Sequence, residues 1–153
     1  MSSEIWKPHV AAATVIEREG RYLCVEEVAD GNVVINQPAG HLDPGETLVD
    51  AARRETFEET AWHIEVNYLI GIYLMETEIP GKSFLRFCFA GHALAFDESA
   101  KLDKEIVRTV WLSRDELEQS ATRLRSPLVM EAIRDYERGQ QYTLDLLHDF
   151  SLR

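Results

Sequence analysis

The stretch from residue 36 to residue 62 constrains this chain most, because it passes from a loop into a helix whose charges repel one another. Asn36–Gly45 carries Pro38 and Pro44 near its ends and Gly40 and Gly45 within it, so it reads as a loop. Thr47 then caps a helix, with Asp50 three residues on completing a capping-box pattern. Leu48, Ala51, Ala52 and Phe57 supply its apolar face, and the helix is expected to run to about Trp62. Glu55, Glu58 and Glu59 stand at i, i+3 and i+4 and so share one neighbourhood. Like charges so placed oppose the helix by a few tenths of a kcal/mol, on the order of 0.2–0.5 per pair. Hard divalent cations such as Mg²⁺ take oxygen ligands, and a carboxylate cluster supplies them. Asp43, Glu46 and backbone carbonyls of the preceding loop add further oxygens. Spacing alone is more often that of a solvated acidic face, partly neutralised by Arg53 and Arg54.

The flanking sequence says what this helix packs on. Val10–Glu17, a turn at Gly20 and Tyr22–Val28 predict a hairpin, followed by a turn at Asp30-Gly31-Asn32 and a short strand Val33–Ile35. Ile64–Thr77 and Ser83–Phe96 are strand-rich around the Pro80-Gly81-Lys82 turn, and Val107–Leu112 is a last strand. Ser113 with Glu116 opens a short helix, and Ser126-Pro127 opens another to about Arg138. The expected fold class is α+β, a mixed sheet packed between helices. With no repeat, low-complexity tract or linker, residues 1–153 are expected to form one domain.

Charge narrows the partners. Lys and Arg number 16 against 27 Asp and Glu, a net charge of −11, with no basic run to displace counterions from a nucleic-acid backbone. An anionic substrate would need a cation to offset the local field. No apolar run approaches the roughly 20 residues that span a bilayer, and Met1–Lys7 lacks the pattern of a secretory signal. Cys24 and Cys88 lie among apolar residues without zinc-site spacing, so both are expected to be buried thiols. A cytoplasmic monomer is the simplest expectation.

Gly40, five residues, Glu46, seven residues, Arg54-Glu55, two residues, Glu58-Glu59 reproduces six of the seven fixed positions of G-x5-E-x7-R-E-U-x-E-E-x-G-U, where U is a bulky aliphatic. The chain thereby resembles the Nudix hydrolases. Thr56 replaces the first aliphatic, Ala61 the final Gly, and Trp62 takes the last hydrophobic position; Ala61 puts the helix exit in question. Trp6–Val10, Asn36–Leu42, Phe84–Phe87 and Leu124–Val129 are further similar to the NudJ group of small bacterial Nudix phosphatases.

The resemblance implies an α/β/α sandwich with the box as a loop–helix–loop. It implies Glu55, Glu58, Glu59 and the Ala39 carbonyl as ligands of Mg²⁺, with Mn²⁺ as a substitute. Arg54 and Glu46 would brace the loop against the helix, and Gly40 would allow a tight backbone path. Water would attack phosphorus with Glu55 as first candidate base and Glu105 as second. Arg86, Arg125 and Phe84 are the candidate substrate contacts, with Phe87 the other ring that could stack a base; His41 is a weaker candidate. The substrates implied are small phosphorylated molecules: nucleoside di- and triphosphates and hydroxymethylpyrimidine diphosphate, with release of orthophosphate. The alternatives are pyrophosphohydrolysis of ADP-ribose or oxidised nucleotides, and a non-catalytic binding module.

Overall fold

A computed structural model describes residues 4–150; Met1–Ser3 and the last three residues, which enter the signal and one-domain expectations, lie outside the described residues. The strands are β1 (His9–Arg18), β2 (Arg21–Ala29), β3 (Asn32–Asn36), β4 (Ala39–His41), β5 (Trp62–Glu76), β6 (Ser83–Phe96) and β7 (Ile106–Ser113). The helices are α1 (Leu48–Thr60), α2 (Arg114–Gln119) and α3 (Leu128–Glu137). The strands form a mixed sheet ordered β3-β2-β1-β6-β5, with β4 on β1 and β7 on β2. Only the β1–β6 pairing is parallel among the described strands.

Alternation along β1 assigns the two faces. Ala12 and Ile16 pack with Ala51 and Ala52 of α1, whereas Ala13 and Val15 pack with Met130, Ala132 and Ile133 of α3. This is the expected α+β sandwich. β1 registers with β2 only at Glu17–Tyr22 and Arg18–Arg21. Beyond that contact the two halves of the sheet part, and the loop from β3 through β4 fills the split.

Three local expectations are corrected. The supposed loop Asn36–Gly45 contains β4, which pairs antiparallel with β1. Helix α1 ends at Thr60 rather than Trp62. Ala61 takes a left-handed conformation (φ 63°) and its N–H closes the last turn on Phe57 O at 2.8 Å, freeing Trp62 to begin β5. At the start of α1, Thr47 accepts from Asp50 N–H, but the Asp50 carboxylate turns to Arg53 instead of completing the box. Phe57 is only half-buried and stacks on His63. The box at Ser113 and Glu116 is complete, and Ser126 Oγ accepts from Leu128 N–H at 3.2 Å. Cys24 and Cys88 are buried free thiols, and burial pushes them up to about 12 and about 11.

Candidate active site

The site grows from β4 and α1. In the β1–β4 ladder, Thr14 N–H donates to Pro38 O and Leu42 N–H to Val10 O, both at 3.0 Å. Hydrogen-bonded pairs alternate with unbonded ones, so Ala13·Ala39 and Ala11·His41 are unbonded pairs. Ala39 and His41 therefore turn both backbone groups away from β1. Ala39 N–H donates to Glu59 Oε1 at 2.8 Å, and His41 O accepts from Arg54 Nη2 at 2.9 Å. By the same parity the Ala39 carbonyl points off the ladder. Gly40 faces α1, and a Cβ there would overlap the Glu55 carboxyl group. Close approach, rather than a tight backbone path, is what Gly40 provides.

Arg54 ties helix to loop. Its Nε and Nη2 donate to the two oxygens of Glu46 at 2.9 and 2.7 Å, while Nη1 reaches Glu55 at 2.8 Å and Glu58 at 3.1 Å. Glu46 also accepts from Asp43 N–H at 2.7 Å. Hydrogen bonding from Arg54 holds the Glu46 carboxyl below the usual range.

Carboxylate oxygens of Glu55, Glu58 and Asp103 lie within 4.8 Å of one another. Asp103 was missed in the sequence; it arrives because its N–H donates to Glu58 O at 3.0 Å. Glu105 is exposed, with its carbonyl accepting from Val28 N–H at 2.9 Å, and it is not part of that cluster. Glu59 lies deeper, 6% exposed and outside the cluster. Desolvation, reinforced by Glu27, Glu55 and Asp103, pushes it up to about 9 against the Ala39 N–H bond. Burial also raises Glu55 despite Arg54. The donor set is all oxygen, and the glycine cradle seats one carboxylate against the backbone; both suit a hard divalent cation.

The remaining candidates lie around the split in the sheet. Arg86 is half-buried, donates to Gln37 Oε1 at 3.4 Å and enters no ion pair among the described residues; burial lowers its pKa. Arg125 donates to Glu27 Oε1 at 3.3 Å, and Asn36 Nδ2 donates to the same oxygen at 3.0 Å. Asn36 Oδ1 is buried with no partner among the described residues. Phe84 stands beside His9 and His41, while Phe87 packs into the α1-side core.

A mixed sheet between helices, with a glycine-cradled carboxylate helix braced by Arg54 and Glu46, defines a Nudix hydrolase. The NUDIX domain family model matches residues 7–132, and the chain belongs to that family. It is an enzyme that hydrolyses diphosphate linkages, in a family that generally uses divalent metals. The chain is 43% identical to Phosphatase NudJ of Escherichia coli K12 over 148 residues, covering 96% of this chain and 95% of the relative. A NUDIX hydrolase from Nitrosomonas europaea superposes with a TM-score of 0.92 at 44% identity, covering 94% of this chain and 98% of that one. A MutT NUDIX hydrolase from Burkholderia pseudomallei, at 22% identity and TM-score 0.71, covering 84% and 98%, shares the fold. No helix among the described residues is long and apolar enough to cross a membrane.

Proposed function

We propose that this chain is a Mg²⁺-dependent phosphatase of nucleoside di- and triphosphates and related small organic diphosphates, releasing orthophosphate. The observation that carries the metal reading is the meeting of Glu55, Glu58 and Asp103 within 4.8 Å beside the Gly40 cradle. Three carboxylates so close, with Arg54 the ion-pair partner of Glu55 and Glu58 among the described residues, favour a bound cation. Glu55, Glu58, Glu59 and the Ala39 carbonyl are the proposed ligands, with Asp103 added from the loop before β7. When bound, Mg²⁺ or Mn²⁺ would offset charge on the phosphate oxygens and lower the pKa of water.

The chain's own residues do the rest. Arg54 and Glu46 hold α1 against the loop so that the carboxylates keep their spacing. Glu55 is the proposed acceptor of the water proton, and Glu105 is the less well placed alternative. Arg86 and Arg125 face the phosphates and Phe84 the organic group. Release of orthophosphate rests on the likeness to Phosphatase NudJ over nearly the whole chain. One domain over 1–153, a monomeric state and a cytoplasmic location complete the reading; the buried free thiols suit a reducing compartment.

The test is turnover of nucleoside di- and triphosphates and hydroxymethylpyrimidine diphosphate with and without Mg²⁺, resolving orthophosphate from pyrophosphate. Glu59→Ala and Glu55→Gln should each lower kcat at least about 100-fold with the fold retained. Full turnover in both variants rejects the site. Pyrophosphate from every triphosphate rejects the cut and keeps the family.

A further inference from the structure

Resting on that reading of the site, a second feature of the same sheet bears on what the diphosphate must carry. On the face of the sheet turned toward α3, residues directly opposite one another share a side. His9 pairs with Phe84, and Phe84 with Met75; Ala11 lies between His41 and Arg86. The ring centroids of His9 and His41 are 5.4 Å apart, those of His9 and Phe84 5.6 Å, and those of His41 and Phe84 6.0 Å. Lys82 Nζ lies 5.6 Å from the centre of the Phe84 ring. None of the three rings belongs to either core cluster, His9 and His41 are exposed, and Phe84 is half-buried. On that face Ala11, itself buried, lies between His41 and Arg86, and the His9 and Phe84 rings stand in the next row of the sheet.

The ring cluster adjoins the carboxylates through β4. Ala39, whose N–H meets Glu59, and His41 are two residues apart on one face of a strand, roughly 7 Å between α-carbons. That is on the scale of the separation between a bound phosphate and a ring attached through a short linker. A diphosphate held near Ala39 and Arg86 would place such a ring against His9, His41 and Phe84.

We infer that His9, His41 and Phe84 form a stacking wall for an aromatic heterocycle carried by the diphosphate, with Ala11 as its floor, and that this wall selects base-bearing over base-free diphosphates. Stacking a base on one protein ring is worth about 5- to 150-fold in affinity. In Ala11→Val the added methyls fill the floor, and in the His9→Ala/Phe84→Leu variant the wall is removed.

The test measures kcat/KM with Mg²⁺ on a nucleoside diphosphate, a pyrimidinylmethyl diphosphate and ribose 5-diphosphate. The wild type should prefer the base-bearing compounds, and in both variants the ratio of base-bearing to base-free kcat/KM should fall about 5- to 150-fold. The two base-bearing substrates separate a nucleobase from a smaller pyrimidine as the ring the wall accepts. A preference unchanged in both variants, or equal losses on all three substrates, overturns the wall while hydrolysis stands. No turnover of any of them overturns the site reading as well. A wild-type measurement is independent of variant folding: the imidazole resonances of His9 and His41 should shift on adding an α,β-methylene nucleoside diphosphate and not with methylenediphosphonate. Equal shifts with both ligands overturn the proposal.

Discussion

Thr56 occupies the box position where a bulky aliphatic is usual, and its surroundings explain how a hydroxyl survives there. The side chain is fully buried, with Oγ1 donating to Ala52 O at 2.8 Å. With that hydrogen committed, the 2.9 Å contact with Thr14 Oγ1 must have Thr14 as donor. Thr56→Val removes the acceptor and leaves the Thr14 hydroxyl unsatisfied in the core, which should cost about 1–3 kcal/mol. Adding Thr14→Val removes the orphan, so the double variant should regain most of that loss. Denaturant unfolding of the two single variants and the double variant gives the coupling; strictly additive losses would reject the pair. The sequence announces Thr56 as a departure but cannot show Thr14, its partner 42 positions away. Asp103 was hidden for the same reason: its place beside Glu55 and Glu58 comes from a backbone bond to Glu58 across the fold. Glu46 with Arg54 was legible because both belong to one spaced pattern.

At the scale of elements, the site depends on how β4 and α1 are locked together. Arg54 joins them through Glu46 on the loop, the His41 carbonyl on β4, and Glu55 and Glu58 on its own helix. A lysine has one nitrogen and cannot span these four partners. Arg54→Lys should therefore weaken Mg²⁺ binding by about 10–100-fold while leaving the helix formed. Glu46→Gln should do the same, and the two together should cost little more than either, because they break one clamp. Titration calorimetry with Mg²⁺ or Mn²⁺ reads this; full additivity would mean that the two act separately. The first hairpin and the start of α1 were readable from local signals, Gly20 and Thr47. β4 was not, because three residues between Pro38 and Pro44 carry no periodicity and become a strand only by pairing with β1. The end of α1 is not legible either, because Ala61 takes a left-handed conformation that favours glycine.

Across the whole molecule, a net charge of −11 is concentrated in its effect where carboxylates are least solvated. Burial raises Glu59 from an ordinary 4.5 to about 9 in the metal-free chain. Between those values the folded state holds a proton that the unfolded state has released, so stability declines as pH rises through that window. Glu46 and Glu26 act oppositely. Hydrogen bonds from Arg54 and Arg108 hold them low, and their contribution is lost as pH falls through their folded values. The metal-free protein should thus be most stable in mildly acidic solution. Metal ligands must be ionised, so if Glu59 is a ligand as proposed, Mg²⁺ binding should expel its proton and tighten as pH rises toward that value. Because a ligand stabilises in proportion to the logarithm of its concentration over Kd, the rise in Tm caused by a fixed Mg²⁺ concentration should be larger at about pH 8.5 than at about pH 6. In Glu59→Gln the metal-free decline on the alkaline side should flatten and the difference between the two Mg²⁺ shifts should shrink. Equal Mg²⁺ shifts at both pH values in the wild type would mean that the ion does not draw on Glu59. The cation would then be held by the outer group of Glu55, Glu58 and Asp103 alone.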